Sequence, residues 1–192
     1  MHIKLVTKIA CVWSVLVPAF ALAQPASVDT CVGWQQDMTV AMNARDWMVV
    51  ERIARQRLAR CDTGPELRAL TWAGLGNALR GQGRHKEALD VADKCIEERY
   101  RAPACHINRL LLLVFFQRFD DARKQEAAAR TVLLEKRKSL SSELATVRES
   151  NSKALDRQTR ERVMATIQEQ IQDVDEDLAF VADIAAKDIK PL

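Results

Sequence analysis

The central stretch of the chain decides the fold, and residues 69–96 read ALTWAGLGNALRGQGRHKEALDVADKCI. Apolar residues recur at intervals of three and four on both sides of Gln82-Gly83-Arg84, which is the spacing of an amphipathic α-helix. The polar tripeptide with its central glycine favours a turn. The two apolar stripes are Leu67, Leu70, Ala73, Gly76 and Leu79, and Ala88, Leu89, Ala92, Cys95 and Ile96. The stretch therefore predicts two antiparallel helices joined by a short turn.

Small residues recur along a longer part of the chain with a period of 34 residues. The two series with this spacing are Ala54, Ala88 and Ala122, and Cys61, Cys95 and Ala129. A period of this length is typical of stacked helical hairpins. The composition agrees, because only 5% of the residues are aromatic and there are six Gly and five Pro in 192 residues. The alternative is an ordinary helical bundle in which the period is a coincidence.

At Trp72, Leu75-Gly76 and Gly83, the chain resembles the tetratricopeptide repeat family, with its W-x-x-L-G-x-x-Y pattern and turn glycine. Leu79 stands where the family has an aromatic residue, and Ala88 and Cys95 match its small positions. The resemblance covers roughly residues 31–134, with one well-matched unit and two degenerate ones. In the first unit the turn is expected at 44–46, earlier than the strict period allows. The resemblance implies an all-α stack of about three helical hairpins.

The C-terminal third predicts a charged, coiled-coil-like helical hairpin that follows the repeats. From Asp120 to Lys187 there is no Gly or Pro, so we expect the second helix of the third unit to run well past its usual end. The most favourable break between the two arms is 150–152. The apolar seam of the second arm has heptad spacing and consists of Met164, Ile167, Ile171, Val174, Leu178, Val181 and Ala185.

Charge also distinguishes the two arms. Residues 136–162 carry eight cations and four anions, whereas residues 164–186 carry six acids and no Lys or Arg. Folding back would place opposite charges side by side. The alternative is one unbroken helix that pairs in a dimer. The predicted organisation is a signal peptide at 1–23, a helical repeat domain at 24–134 and a coiled-coil-like region at 135–192.

The first 23 residues have the features of an export signal. Lys4 and Lys8 precede an apolar run from Ile9 to Leu22, and Ala21-Leu22-Ala23 has the small residues that a signal peptidase requires. The apolar run is shorter than the roughly 20 residues needed to span a bilayer. We therefore expect a periplasmic or secreted product with no stable membrane insertion after cleavage.

Four cysteines remain after the predicted cleavage, and an even number in an exported chain indicates two disulfides. The hairpin architecture implied by the resemblance selects the pairs Cys31–Cys61 and Cys95–Cys105 from the three connectivities. Loop-closure entropy assigns them about 3.6 and about 2.8 kcal/mol. Metal binding is the rival interpretation. The sequence has no C-x-x-C pair and no second histidine at ligand spacing, so we expect no metal site.

The sequence contains no pattern that points to catalysis. No phosphate-binding glycine loop is present. His85 and His106, the only histidines after the predicted cleavage site, have no nucleophile arranged around them in sequence. Asp173, Asp175, Glu176 and Asp177 are expected to form a solvated helix face. The net charge is +3 without a strong basic block, which argues against nucleic-acid binding. We expect no enzyme activity and no cofactor.

The resemblance implies a binding groove formed by the first helices of successive units. The positions that would line it are Asn43, Leu70, Asn77, Arg80, Ile107 and Leu111. An open alternative is that Ile107 and Leu111 are packed beneath the C-terminal hairpin. The leading hypothesis is an exported adaptor or scaffold that binds a partner protein or peptide, within an envelope or secretion complex. The second hypothesis is a structural homo-oligomer assembled through the C-terminal heptad seam, and the third is an envelope enzyme with an unrecognised site.

Overall fold

The computed structural model describes residues 28–61, 64–99, 101–149 and 156–189, and these residues form seven α-helices packed in sequence. The all-α prediction is confirmed, and the arrangement is consistent with a stack of tetratricopeptide-like hairpins. The helices are α1 (Val28–Asn43), α2 (Trp47–Arg60), α3 (Pro65–Gly81), α4 (His85–Glu98), α5 (Pro103–Phe115), α6 (Phe119–Glu149) and α7 (Arg157–Lys187). The predicted signal peptide lies outside the described residues. None of the described helices is long and apolar enough to cross a membrane.

The first three hairpins have turns of the same design. Each turn has one residue with a left-handed backbone, at Arg45 (φ 56°), Gly83 (φ 75°) and Gln117 (φ 57°). The next amide donates a hydrogen bond five residues back, as from Arg84 to Leu79 at 2.9 Å. This is the C-terminal capping pattern in which glycine is the least strained residue. The turn expected at 44–46 in the first unit is confirmed.

The turns also show that the first unit is out of register with the strict period. They lie 38 and then 34 residues apart, so the first unit is displaced by four residues, or about one helical turn. Val50, rather than Ala54, takes the place that Ala88 occupies in the second unit. Arg57 takes the place of Cys95. A displacement by one turn keeps side chains on the same helix face, which is why the period of 34 still predicted the correct apolar face.

The helices form two layers, and the odd-numbered layer is the more tightly packed. Helix α3 contacts both α1 and α5, whereas the even-numbered helices have no comparable contact with one another. Glycine permits this approach on both sides of α3. A Cβ at Gly74 would lie 3.3 Å from Met38 Sδ, and one at Gly76 would lie 3.5 Å from Asn108 Nδ2. The small residues of α3 therefore set the spacing between the first three units.

Both predicted disulfides are present. Cys31 is joined to Cys61 and Cys95 to Cys105, with Cα–Cα distances of 6.0 and 5.9 Å. The first bond links the N-terminal part of α1 to the residue that follows α2. The second links α4 to the first turn of α5 and lies in a small buried cluster with Ala69. Each bond thus closes an end of a helix pair.

The C-terminal prediction of a hairpin is confirmed, because α7 folds back along α6. The predicted break at 150–152 lies outside the described residues, between the end of α6 and the start of α7. Helix α6 has 31 residues against 13 in α5, so it runs about 27 Å past its partner at about 1.5 Å per residue. It crosses residues 134 and 135 without interruption. Arg137 and Asp175 join the two arms by an ion pair of 2.6 Å.

The hairpin belongs to the same hydrophobic core as the third repeat. One buried cluster contains Leu110 and Leu113 of α5, Leu133 and Leu140 of α6, and Val174 of α7 among its members. The predicted heptad seam is buried here, with Val174 and Val181 at 1% and 0% exposure. The seam residues of α7 are therefore packed within one chain.

Candidate functional site

Helix α3 contributes the exposed part of the predicted groove. Leu70 is 51% exposed, although it belongs to an apolar stripe. About two and three turns further along, Asn77 and Arg80 are half-buried, and Arg80 Nη2 donates to Asn77 Oδ1 at 3.3 Å. Burial lowers the pKa of Arg80. Arg80 forms no ion pair with a carboxylate of the described residues. The α3 part of the groove therefore offers an apolar residue, an amide and an unneutralised guanidinium.

The structure places the α5 part of the predicted groove in the core. Ile107 is 9% exposed, and Leu111 is partly buried against the same cluster. That cluster includes Ile167 and Val174 of α7 as well as residues of α6. Ile107 and Leu111 thus pack in the core shared with the C-terminal hairpin, as the alternative interpretation of the sequence predicts. Neither residue offers an open surface comparable with that of Leu70.

Asn43 lies apart from the other predicted residues. It is the last residue of α1 and is exposed to solvent. When the hairpins are aligned by their turns, Asn43 corresponds to Gly81, and Thr39 corresponds to Asn77. Thr39 donates its hydroxyl to the carbonyl of Gln35 at 3.0 Å. The displaced register of the first unit therefore gives α1 a threonine, and not an asparagine, beside Asn77.

A cavity of about 770 Å³ lies between α3, α5, α6 and α7. It forms where the long hairpin projects past the N-terminal ends of α3 and α5. Leu70 is the one residue of the predicted groove on its wall. The apolar part of the lining consists of Ala69, Leu70, Ala102, Pro103, Ala104 and Val132. The site is thus continuous with the exposed face of α3 and is bounded by both the repeats and the hairpin.

Two ion pairs form part of the cavity wall. Arg99 Nη2 lies 2.9 Å from Glu66 Oε1 and joins the end of α4 to the first turn of α3. Arg101 Nε lies 3.5 Å from Glu135 Oε2 and joins the turn before α5 to α6. Both arginines therefore have a carboxylate partner within the wall.

The remaining charges of the lining have no such partner. Lys136, Asp173 and Asp177 form no ion pair with any described residue. Asp173 and Asp177 are one turn apart on α7, and Asp177 is half-buried. Burial raises the pKa of Asp177, the neighbouring Asp173 and Glu176 raise it further, and Lys136 acts in the opposite direction. The α7 wall is therefore the electronegative side of the cavity.

The sequence prediction places Asp173 and Asp177 on a solvated face, and Asp173 is indeed exposed. Asp177 is half-buried, and both residues line the cavity, which the sequence did not indicate. The available signal was their spacing, since Gln170, Asp173 and Asp177 lie at intervals of three and four beside the buried seam. That spacing shows a shared face, but it does not show what the face meets. The packing of α7 against the repeats decides this.

Both described histidines have structural surroundings away from the cavity lining. His106 is 1% exposed, and its Nδ1 lies 2.8 Å from Gln125 Nε2. Gln125 Oε1 accepts from Arg109 at 2.9 Å, and Arg109 is held by Asp93. This relay links α4, α5 and α6. No group of His, Cys, Asp and Glu residues with the arrangement of a metal site occurs in the described ranges. The lining of the cavity offers apolar side chains and charged groups.

Comparisons of the chain with protein-family models, with curated proteins and with solved structures find no match. The class of the protein therefore rests on its own architecture, an all-helical stack of hairpins with a long C-terminal hairpin.

Proposed function

We propose that the protein is an exported adaptor that binds a partner polypeptide at the face of α3 and in the adjoining cavity. The observation that carries this proposal is the cavity of about 770 Å³, with the exposed side chain of Leu70 at its wall. Its volume lies within the range typical of ligand sites, about 300–1,000 Å³. An envelope or secretion complex is the setting that we infer from the export signal.

The chemistry of the lining supports a polypeptide as the ligand. The lining contains both apolar side chains and charged groups, as protein surfaces that recognise mixed side chains do. The asparagine–arginine pair on α3 adds hydrogen-bond donors beyond the cavity, at Asn77 and Arg80. A polypeptide lying along α3 could contact these donors and reach the cavity together.

The rigidity of the walls also supports a binding site. The disulfide between Cys95 and Cys105 ties α4 to α5 next to Ala69, which lines the cavity. The buried seam holds α7 in place on the opposite side. Walls fixed before binding reduce the entropy that a ligand must overcome. Two disulfides are also typical of proteins outside the cytosol, which supports the proposed export.

The burial of the heptad seam favours the adaptor over the structural oligomer. Val174 and Val181 are covered within a single chain, so the seam does not present an apolar surface to a second copy. Oligomerisation through this seam would require the hairpin to open and to exchange between chains. The two hypotheses therefore differ in the expected mass of the isolated protein.

A site-specific photo-crosslink tests the proposal. The tagged chain carries p-benzoylphenylalanine in place of Leu70, is produced in its native cells and is irradiated. The matched control carries it in place of Met48, an apolar residue of α2 that is 68% exposed. We expect a discrete adduct with a polypeptide from position 70 only. Equal labelling from both positions, or none from position 70, contradicts the proposal. Sedimentation of the purified chain as a stable oligomer would favour the alternative.

A further inference from the structure

We propose that the cavity receives a lysine or arginine side chain of the partner polypeptide, with Asp173 and Asp177 as its acceptors. This inference rests on the proposed function and identifies the feature of the partner that the site recognises. It is drawn from the balance of charge in the cavity and from the placement of the two carboxylates on one wall.

The positions of the two carboxylates suit a single cation. Asp173 and Asp177 are separated by four residues on α7, and Cβ atoms at this spacing are about 5–6 Å apart. Both side chains line the cavity, as does the side-chain amide of Gln170 one turn earlier. An ammonium or guanidinium group between the carboxylates can donate to both, and the amide oxygen offers a third acceptor.

The other charges of the lining compensate this wall only in part. The arginines of the wall are already neutralised, Arg99 by Glu66 and Arg101 by Glu135. One cation and two carboxylates then remain, which gives a net charge of −1. The cation, Lys136, is exposed, whereas Asp177 is half-buried. The half-buried charge among these three is therefore the carboxylate of Asp177, and a cation from the partner would compensate it.

The partial burial of Asp177 also favours a cation as the group that the cavity receives. The pKa of Asp177 is raised by burial and by the like charges of Asp173 and Glu176, and the opposing effect of Lys136 does not cancel this increase. An arriving cation stabilises the ionised carboxylates and reverses this shift. A neutral or acidic side chain would leave it unchanged or enlarge it.

The apolar part of the lining suits the stem of a basic side chain. Leu70 lines the cavity from α3, Ala104 from α5 and Val132 from α6. Lysine and arginine bury their methylene groups against such surfaces while the charged end reaches a polar partner. The cavity therefore combines apolar side chains on α3, α5 and α6 with an electronegative wall on α7.

The inference is tested with four mixtures of fluorescent nonapeptides that are randomised except at the central residue, which is Lys, Arg, norleucine or Glu. Binding to the full chain, with its disulfides formed, is measured by fluorescence anisotropy. We expect the Lys and Arg mixtures to bind about tenfold more tightly than the norleucine mixture, with the Glu mixture weakest. Raising the salt concentration should reduce this preference.

Two variants test whether Asp173 and Asp177 cause the preference for basic peptides. In the double variant Asp173→Asn, Asp177→Asn, the Lys and norleucine mixtures should bind within about twofold of each other, because the isosteric amides keep the shape and remove the charge. The matched control is Glu169→Gln, which removes an exposed acid of α7 outside the cavity lining. It should retain most of the preference. Circular dichroism shows whether each variant keeps its helices.

The outcomes separate this inference from the proposed function. Binding by the norleucine or Glu mixture as tight as by the Lys mixture overturns the inference and leaves peptide binding in place. A basic preference that survives in the double variant also overturns it. If none of the four mixtures binds, both the inference and the proposed function are wrong. Lys136→Gln gives an independent check, since removing the resident cation should strengthen the preference for Lys and Arg.

Discussion

Replacement of Arg57 by methionine should make the protein more stable. Arg57 is 2% exposed, its Nη1 donates to Gln35 Oε1, and its Nε has no hydrogen-bond partner in the described residues. No described carboxylate forms an ion pair with it. Burial lowers the pKa of Arg57, which means that the site disfavours the charged form. The guanidinium is therefore buried with a neutral amide as its hydrogen-bond partner and without a described carboxylate to compensate its charge.

The magnitude follows from two effects of the substitution. It removes the desolvation cost of the guanidinium, and it removes the hydrogen bond to Gln35. Moving an ion from water into a protein costs several kcal/mol, even after local relaxation. Methionine removes this cost and keeps a side chain of similar length, while the half-buried Gln35 retains access to water. We expect Arg57→Met to raise the free energy of unfolding by about 1–3 kcal/mol, in line with other buried ionic groups replaced by apolar ones. Each kcal/mol corresponds to an increase in Tm of about 2–4 °C for a chain of this size.

Urea unfolding, followed by far-ultraviolet circular dichroism with both disulfides intact, measures this change. Arg60→Met is the matched control, because Arg60 is an exposed residue of the same helix; it should change stability by less than about 0.5 kcal/mol. Arg57→Ala separates charge from volume, since it removes the ion but leaves a void. If Arg57→Met is less stable than the parent by more than about 1 kcal/mol, the guanidinium stabilises the fold and the reasoning is refuted.

Three further predictions concern packing and pH. Val174→Ala should lower the free energy of unfolding by about 1–3 kcal/mol, because this side chain is 1% exposed in the core shared by the repeats and the hairpin. Gly81→Ala should destabilise the first two units by about 1–3 kcal/mol, since a Cβ there would lie 2.5 Å from Trp47 Nε1. The pKa of Glu98 is lowered from 4.5 by hydrogen bonding to Arg68, so its contribution is present above pH 4.5 and is lost as the pH falls through the lowered value. Because the pair is partly exposed, we expect less than about 1 kcal/mol, measured as the difference in acid sensitivity between the parent and Glu98→Gln.

Each of these predictions has a result that would contradict it. Gln168→Ala, on an exposed position of α7, is the control for Val174→Ala, and equal losses in the two variants would mean that the seam is not a core. Unchanged stability of Gly81→Ala would show that the indole of Trp47 moves freely. If Glu98→Gln keeps the same dependence on acid between pH 5 and pH 3 as the parent, Glu98 does not contribute to it.

Because the repeats and the C-terminal hairpin share one core, truncation between them is a poor test of ligand binding. A chain that ends after Leu134 would lose half of α6 and all of α7. It would uncover Ile107, Leu110 and Leu113, which pack in the cluster shared with those helices. Loss of ligand binding in such a fragment would therefore report a damaged core. Point substitutions in the cavity keep the core intact and test the site directly.

Much of the fold is predictable from short-range pattern. The turn at Gly83 and the two helices around it follow from residues that are close in sequence, because helix formation and capping are local. The disulfide pairs follow from the same geometry, since antiparallel helices bring Cys31 and Cys61 to one end. The candidate site is only partly predictable. Leu70 was expected on an exposed face, whereas the role of Asp177 depends on a helix that is more than 70 residues away in the chain.

The sequence by itself determined that the chain is helical, that it folds as successive hairpins and which cysteines pair. The helices depend on the apolar spacing along the chain. The hairpins and the cysteine pairs depend on helices that are adjacent in sequence. Only the tertiary structure decided that Arg57 is buried, that Ile107 is covered and that Asp173 and Asp177 face a cavity. A helical pattern specifies which residues share a face, but the neighbour of that face depends on how distant helices pack, and this packing is set by the sum of contacts over the whole chain.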